Sequence, residues 1–396
     1  MNRSAENKTS RRSLFKPIKP KKLLHPSFQL ISTSPRNRST RLMMNQAYGR
    51  FIDRDGNFIE QFQTTGFNNR TFELYISELL HAEGFIVNGS APQPDFEAQK
   101  DGARVFIECT TANPTDKADG IIRPYEPLND LDLDAEKLRA RAEDEIPIRF
   151  GGALRSKLNH RVGKSNPLAY WELPRVVGHP FILAVQTFHE HGSLMFTSAG
   201  LSFYLYGIRQ NAEWNESGEL IINHTAVTQH AYGNKTIPSA FFMQEGTENI
   251  SAVLWTNAGT VPKFTRMALA GPYPDPSVTM LRSGTMFDSD PNAHAALPFV
   301  YIVGDPGAPD ETWGQEAVLF HNPNAKHPVP LGLFSTVTEG CVQDGQYIDQ
   351  IKGFSPYSSM SALIDGPGHR ARARMLGDQV FSSLEGWYEK ASARPA

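Results

Sequence analysis

Apolar residues recur at helical spacing in RTFELYISELLHAEG, residues 70–84. At about 100° per residue, Phe72, Tyr75, Ile76, Leu79, Leu80 and Ala82 form one stripe, and Gly84 is placed to end the helix. The period then shortens to two. FIVNGS (85–90) predicts a strand, and PDFEAQKDGARVFIECTT (94–111) predicts two strands around an Asp101-Gly102 turn. Residues 113–131 lack an apolar period and predict a long loop. Residues 132–145 predict a charged helix closed by Pro147, and GGALRSKLNHR (151–161) a second one. PFILAVQTF (180–188) is a nearly continuous run of β-type residues, hence a buried strand. A short helix is expected near 198–208. Beyond it ELIINHTAV, SAFFMQ, ISAVLWTN, FVYIVGD and QEAVLFHN predict strands. VPKFTRMALA predicts a short helix, and ARARMLGDQVFSSLEGWYEKA an amphipathic one.

The hairpin sets two acids face to face. With Asp101-Gly102 at the centre of a type I′ turn, Lys100 pairs with Ala103 and Asp95 falls opposite Glu108. Directly opposed residues have Cβ atoms roughly 4.5–5.5 Å apart, so two carboxylates there repel, more so when half buried. A divalent cation held by both offsets this, and all-oxygen ligation suits magnesium or manganese. The strand period assigns Asp95, Glu97, Gln99, Arg104, Phe106, Glu108 and Thr110 to one face. Phe96, Ala98, Val105, Ile107 and Cys109 share the other, which should pack on a core. On the preceding helix Glu73 lies at the margin of the apolar stripe, roughly 20° beyond Leu80. It can approach the pair, whereas Glu78 is expected to point to solvent.

Composition narrows the setting. With 396 residues, 40% of them hydrophobic, the chain can form two or three domains or one elaborated one. No stretch approaches the ~20 apolar residues of a membrane span. The start of the chain lacks the apolar segment of a secretory signal. Two cysteines far apart support neither a disulfide framework nor a cysteine-rich zinc site, so a reducing, cytoplasmic location is expected. The net charge of −3 hides an asymmetry: residues 1–50 carry twelve Lys or Arg against one acid. Residues 1–50 are therefore expected to be a basic, disordered tail. Alternative readings are an arm that neutralises phosphates and an organelle transit peptide.

Together these residues resemble the PD-(D/E)XK nuclease superfamily. The match is Glu73 on the helix, Pro94-Asp95 on the second strand and Glu108 on the third. The element order is similar to the superfamily's αβββαβ core. The resemblance implies an α/β fold (mixed α+β), restriction-endonuclease-like, with a mixed central sheet. The core would span 51–210, and a large extension of unknown role 211–396. It implies metal-dependent phosphodiester hydrolysis, with DNA the favoured substrate over RNA and a homodimer as a possible assembly. Asp95 and Glu108 would hold one or two Mg2+ (or Mn2+), with the Cys109 backbone carbonyl as a further ligand and Glu73 binding directly or through water. The superfamily's lysine belongs two residues after the acid, where this chain has Thr110. Lys100 falls on the opposite face. Lys157 projects within the Ala153, Leu154, Leu158 face of its helix and is the candidate for a migrated lysine. Arg161 shares that face and is the candidate phosphate contact. The alternative is a nuclease-fold protein without activity that binds nucleic acid or another partner, and Thr110 motivates it.

Other constellations weigh less. His189, Glu190 and His191 in FHEHG lack metal-site spacing. His321 and His327 stand in a Pro/Asn-rich loop with no acid paired to them in the sequence. Tyr170-Trp171 is expected to pack on the core, with base stacking as the sharper alternative. Lys263 and Arg266 are expected in a solvated connection, with phosphate binding as the alternative. Neither GxSxG, a P-loop nor a Rossmann fingerprint occurs.

Overall fold

The computed structural model describes residues 13–89, 91–112, 139–188, 194, 198–344 and 346–392. Four helices come first: α1 (Pro26–Thr33), α2 (Arg38–Arg50), α3 (Phe58–Gln63) and α4 (Phe67–Ala82). Strands β1 (Ile86–Asn88), β2 (Phe96–Lys100) and β3 (Ala103–Ala112) follow, then α5 (Ile146–Asn159), β4 (Phe181–Thr187) and α6 (Ala199–Tyr206). Two hairpins, β5 (Ile208–Trp214) with β6 (Leu220–Ala226) and β7 (Gln229–Tyr232) with β8 (Lys235–Pro238), lead to β9 (Ala252–Thr256) and α7 (Val261–Ala270). The remainder holds β10 (Val278–Met286), β11 (Leu297–Ile302), β12 (Ala317–His321), β13 (Thr338–Gln343), β14 (Gln346–Gln350), β15 (Pro356–Asp365) and α8 (His369–Ser392). No helix among the described residues is long and apolar enough to cross a membrane.

The fold is mixed α/β around an eight-stranded sheet of order β1-β2-β3-β4-β9-β12-β13-β14. Strands β1 to β3 are an antiparallel meander, while β4 runs parallel to both β3 and β9. Apolar residues alternate between two cores. Ile107, Ile182, Leu254 and Leu319 face α4 and the N-terminal helices. Phe106, Leu183, Val253 and Phe320 face α5 and α6. Cover on both faces explains why β4 is buried at every position, as its unbroken apolar run predicts.

Several expectations need correction. The basic tail is not a tail over residues 13–50: α1 and α2 pack into the first core, with Leu14, Phe28 and Met44 fully buried. His25 caps α1 by accepting from the Ser27 N–H, and Pro26 occupies its first position. The basic side chains stay on the outside of helices whose apolar face is short, so net charge hid the amphipathicity. The division at residue 210 also fails as a structural boundary, because β9, β12, β13 and β14 extend the sheet begun by β1 to β4. A π-helical turn, Arg141–Glu145, runs directly into α5, so Pro147 lies in the first turn of a helix rather than ending one. SAFFMQ folds as a 3-10 turn, Phe241–Met243, with Phe241 and Phe242 buried beneath it. The loop at 113–131, the first half of the helix at 132–145 and the His189, Glu190, His191 group lie outside the described residues.

Candidate functional site

The hairpin register is the predicted one. Phe96 pairs with Ile107, Glu97 with Phe106 and Lys100 with Ala103. Asp101 and Gly102 both take positive φ, 51° and 79°, as a type I′ turn requires. Beyond Phe96 the ladder stops, because the next inward backbone position belongs to Pro94, which has no N–H to offer Cys109. Side chains complete it instead. Asp95 Oδ2 accepts the Cys109 N–H at 2.7 Å, and the Asp95 N–H donates to Glu108 Oε2 at 3.2 Å. The two acids are thus clamped to each other's backbone at the end of the hairpin.

Glu108 is 3% exposed and lies on the face covered by α5. From that helix Lys157 Nζ reaches Glu108 Oε1 at 2.7 Å, with its own side chain 25% exposed. The Tyr170 hydroxyl donates to the same oxygen at 2.8 Å. Burial works against the Lys157 charge, but Glu108 and then Asp95 prevail and hold its pKa above the ordinary lysine value. Burial, followed by the charges of Glu108 and Glu73, pushes Asp95 well above the usual aspartate range. The same surroundings push the Cys109 thiol up, burial first. Tyr170 is raised by burial and by Glu108.

Glu73 arrives from the other side of the sheet, since α4 packs on the Ile107 face. It lines a small cleft with Asp95, Arg54 and Arg70, and Arg70 holds its carboxylate one turn away. Burial raises its pKa against the pull of Arg70, and Glu108 adds to the rise. Glu78 corrects the expectation of exposure: it is 1% exposed and paired with Arg50, because α2 covers that flank of α4. Lys100 stays out of the site, as the register requires, and donates to the Leu333 carbonyl. Arg161 does not share the helix face. α5 ends at Asn159, and the exposed guanidinium turns back onto the Leu158 and His160 carbonyls beside the Trp171 ring.

Three participants escaped sequence reasoning: Tyr170 as a ligand of Glu108, Arg70 as the partner of Glu73, and Arg54, which donates to the Asp95 and Asn88 carbonyls. Only Arg70 left a signal, its three-residue spacing from Glu73. Elsewhere, His321 does meet an acid, with Nε2 3.2 Å from Glu339 Oε2 on the neighbouring strand. Lys263 and Arg266 are buried rather than solvated. Together with Arg282 they neutralise Glu311 and Glu316.

Among the described residues no three His, Cys, Asp or Glu side chains gather as a metal site by themselves. The oxygen donors on hand are the Asp95 and Glu108 carboxylates and the Cys109 carbonyl, with Glu73 across the cleft. This is a hard donor set that suits magnesium or manganese and needs water or a phosphate to complete six-fold coordination. The raised pKa values of Asp95 and Glu73, due first to burial and then to neighbouring carboxylates, fit it too, since bound positive charge would lower them. No protein-family model, no curated protein and no solved structure matches the chain.

Proposed function

We propose that the protein is a metal-dependent nuclease of the PD-(D/E)XK type, hydrolysing phosphodiester bonds in DNA in preference to RNA. The observation that carries the reading is the 2.7 Å contact of Lys157 with Glu108, which supplies from a helix the cation that Thr110 does not. The run α4, β1, β2, β3, α5, β4, with β4 parallel to β3, supports a restriction-endonuclease-like core. Asp95, Glu108 and the Cys109 carbonyl are the residues that would hold Mg2+ or Mn2+, with Glu73 at a second position. A metal bound there supplies an acidified water and charge stabilisation at the phosphate. The chain's own groups do the positioning. The Cys109 N–H orients Asp95, Tyr170 and Lys157 fix Glu108 Oε1, and Lys157 leaves a cation beside the acids for developing charge.

A second reading, a nucleic-acid-binding protein without activity, is favoured by one fact: both Glu108 oxygens already accept donors within the chain. Incubation with varied DNA and RNA plus magnesium or manganese, beside Asp95→Ala and Glu108→Ala, tests the first reading. Cleavage by wild type alone is expected, and none by any form would overturn it. Calorimetric titration with manganese separates the two, since nucleic-acid retention with no metal binding selects the second.

A further inference from the structure

We propose that the cavity between residues 13–16, the end of α1 and the first turns of α2 is an anion site, which takes the phosphate group of a phosphate ester through Lys16, Arg38 and Arg41. The cavity holds about 380 Å³, within the range of small-ligand pockets. Its polar lining is Ser13, Ser32 and Asn45 beside the three cations, and no carboxylate lines it. The local sequence builds these walls. Arg38, Arg41 and Asn45 are spaced by three and four residues, so they share one face of α2. Leu14 and Phe15 anchor the opposite wall in the first core, and the Leu14 N–H donates to Asn45 Oδ1 at 3.0 Å. Lys16 is thereby held beside α2, and the Asn45 amide nitrogen keeps its hydrogens for another acceptor.

Two of the cations stand where a helix disfavours them. Arg38 and Arg41 lie in the first turn of α2, its positive end, and that turn holds no acid. One Arg41 nitrogen, Nη1, caps α1 by donating to the Ile31 and Ser34 carbonyls at 2.7 Å each. Carbonyl oxygens accept hydrogen bonds without cancelling the charge, and Nε and Nη2 have no acceptor among the described residues. Burial lowers the Arg41 pKa, the Arg38 charge lowers it further, and no carboxylate raises it. Among the described residues Lys16, Arg38 and Arg41 enter no ion pair. The acid that feels Arg38 is Asp275, whose carboxylate is held first by Ser277. Glu60, the acid nearest in the chain to α2, is taken by Lys19. An anion with several acceptor oxygens answers all three cations and the spare Arg41 donors, and a phosphate is such an anion. Phe15 and Leu42 give the cavity an apolar side for the organic part of an ester. Lys16 and Arg38 are exposed, so the site is open to a ligand.

The test titrates the full chain with adenosine monophosphate by calorimetry, in chelator and in a phosphate-free buffer, with inorganic phosphate and a short single-stranded DNA as competitors. Wild type should bind the nucleotide at one site, and inorganic phosphate should compete. Arg41→Gln should weaken binding about tenfold or more, the order of one charge-assisted hydrogen bond, and Lys16→Gln combined with Arg38→Gln about tenfold. Should Arg41→Gln melt below the working temperature because α1 loses its cap, the two exposed positions decide. Displacement by DNA, lost in the same variants, assigns the phosphate to a nucleic-acid backbone, and binding without displacement assigns it to a small ester. Wild type that binds none of the three probes overturns the proposal, as does unchanged binding in the folded Lys16→Gln, Arg38→Gln double variant. Neither result bears on cleavage at Asp95 and Glu108, which lie outside this cavity.

Discussion

Replacing Asp95 with Asn should make the protein more stable at pH 7 while abolishing the proposed nuclease activity. The substitution keeps the side-chain shape, and an Asn carbonyl oxygen can still accept the Cys109 N–H. It removes a buried negative charge pressed against those of Glu108 and Glu73. A carboxyl whose pKa rises on folding binds its proton in the native state at pH values where the unfolded chain has released it. Stability therefore falls as pH climbs above the unfolded aspartate value near 3.9. The loss at pH 7 has a ceiling, the work of keeping an ordinary aspartate protonated there, which is about 4 kcal/mol. Asp95→Asn should recover about 1–4 kcal/mol of this, or about 1–5 °C in Tm for a chain of this length. Thermal unfolding followed by circular dichroism from pH 4 to 8, first in chelator and then in manganese, is the assay. The gain should shrink towards zero near pH 4. Manganese should raise the wild-type Tm and leave the Asn variant nearly unmoved, since both relieve the same repulsion. A variant less stable than wild type throughout, or a gain that does not vary with pH, would refute the reasoning.

Lys157→Met should destabilise by about 2–4 kcal/mol at pH 7, because it strands the buried Glu108 carboxylate. Adding Glu108→Gln should recover most of that in a denaturant-based double-mutant cycle. The Lys157 contribution, from a pKa raised above 10.5, should be intact below that pH and be lost as pH rises through the folded value. Tyr170→Phe keeps the stacking on Phe181 and His160 but deletes the hydrogen bond to Glu108. It should cost about 1.5–3 kcal/mol in urea unfolding and, for the proposed hydrolysis, lower kcat more than it changes KM. Far from the site, Glu83 accepts from the backbone and hydroxyls of Ser335 and Thr336. Burial works against its charge, but those donors prevail and hold its pKa below the ordinary value of 4.5. Glu83→Gln should therefore lose about 2–4 kcal/mol at pH 7, and the difference from wild type should fade as pH drops below about 4.

Legibility in the sequence followed the range of the interactions. The Asp101-Gly102 turn is local chemistry, and it determined the register, the sorting of hairpin residues onto two faces and the adjacency of Asp95 to Glu108. The apolar run at Phe181–Thr187 likewise marked a strand covered on both sides. Errors arose where a neighbour far along the chain set the outcome. Glu78 is buried because α2 lies over it, and Lys263 and Arg266 are buried because Glu311 and Glu316 meet them. Residues 13–50 read as a tail because their charge was counted and their short apolar face was not.

The sequence by itself determined the hairpin, since a two-residue turn and a period of two leave one register that buries the apolar face. It also excluded Lys100, by parity alone. Which lysine meets the acids was decided by the tertiary structure. Lys157 is 49 residues from Glu108 in the chain and reaches it only because α5 packs over β3 on the Phe106 face. Tyr170 and Arg54 entered in the same way, on segments whose placement depends on the sheet beneath them. Local propensity fixes directions along a strand, but convergence of charge from separate elements requires the packing that pays for their burial.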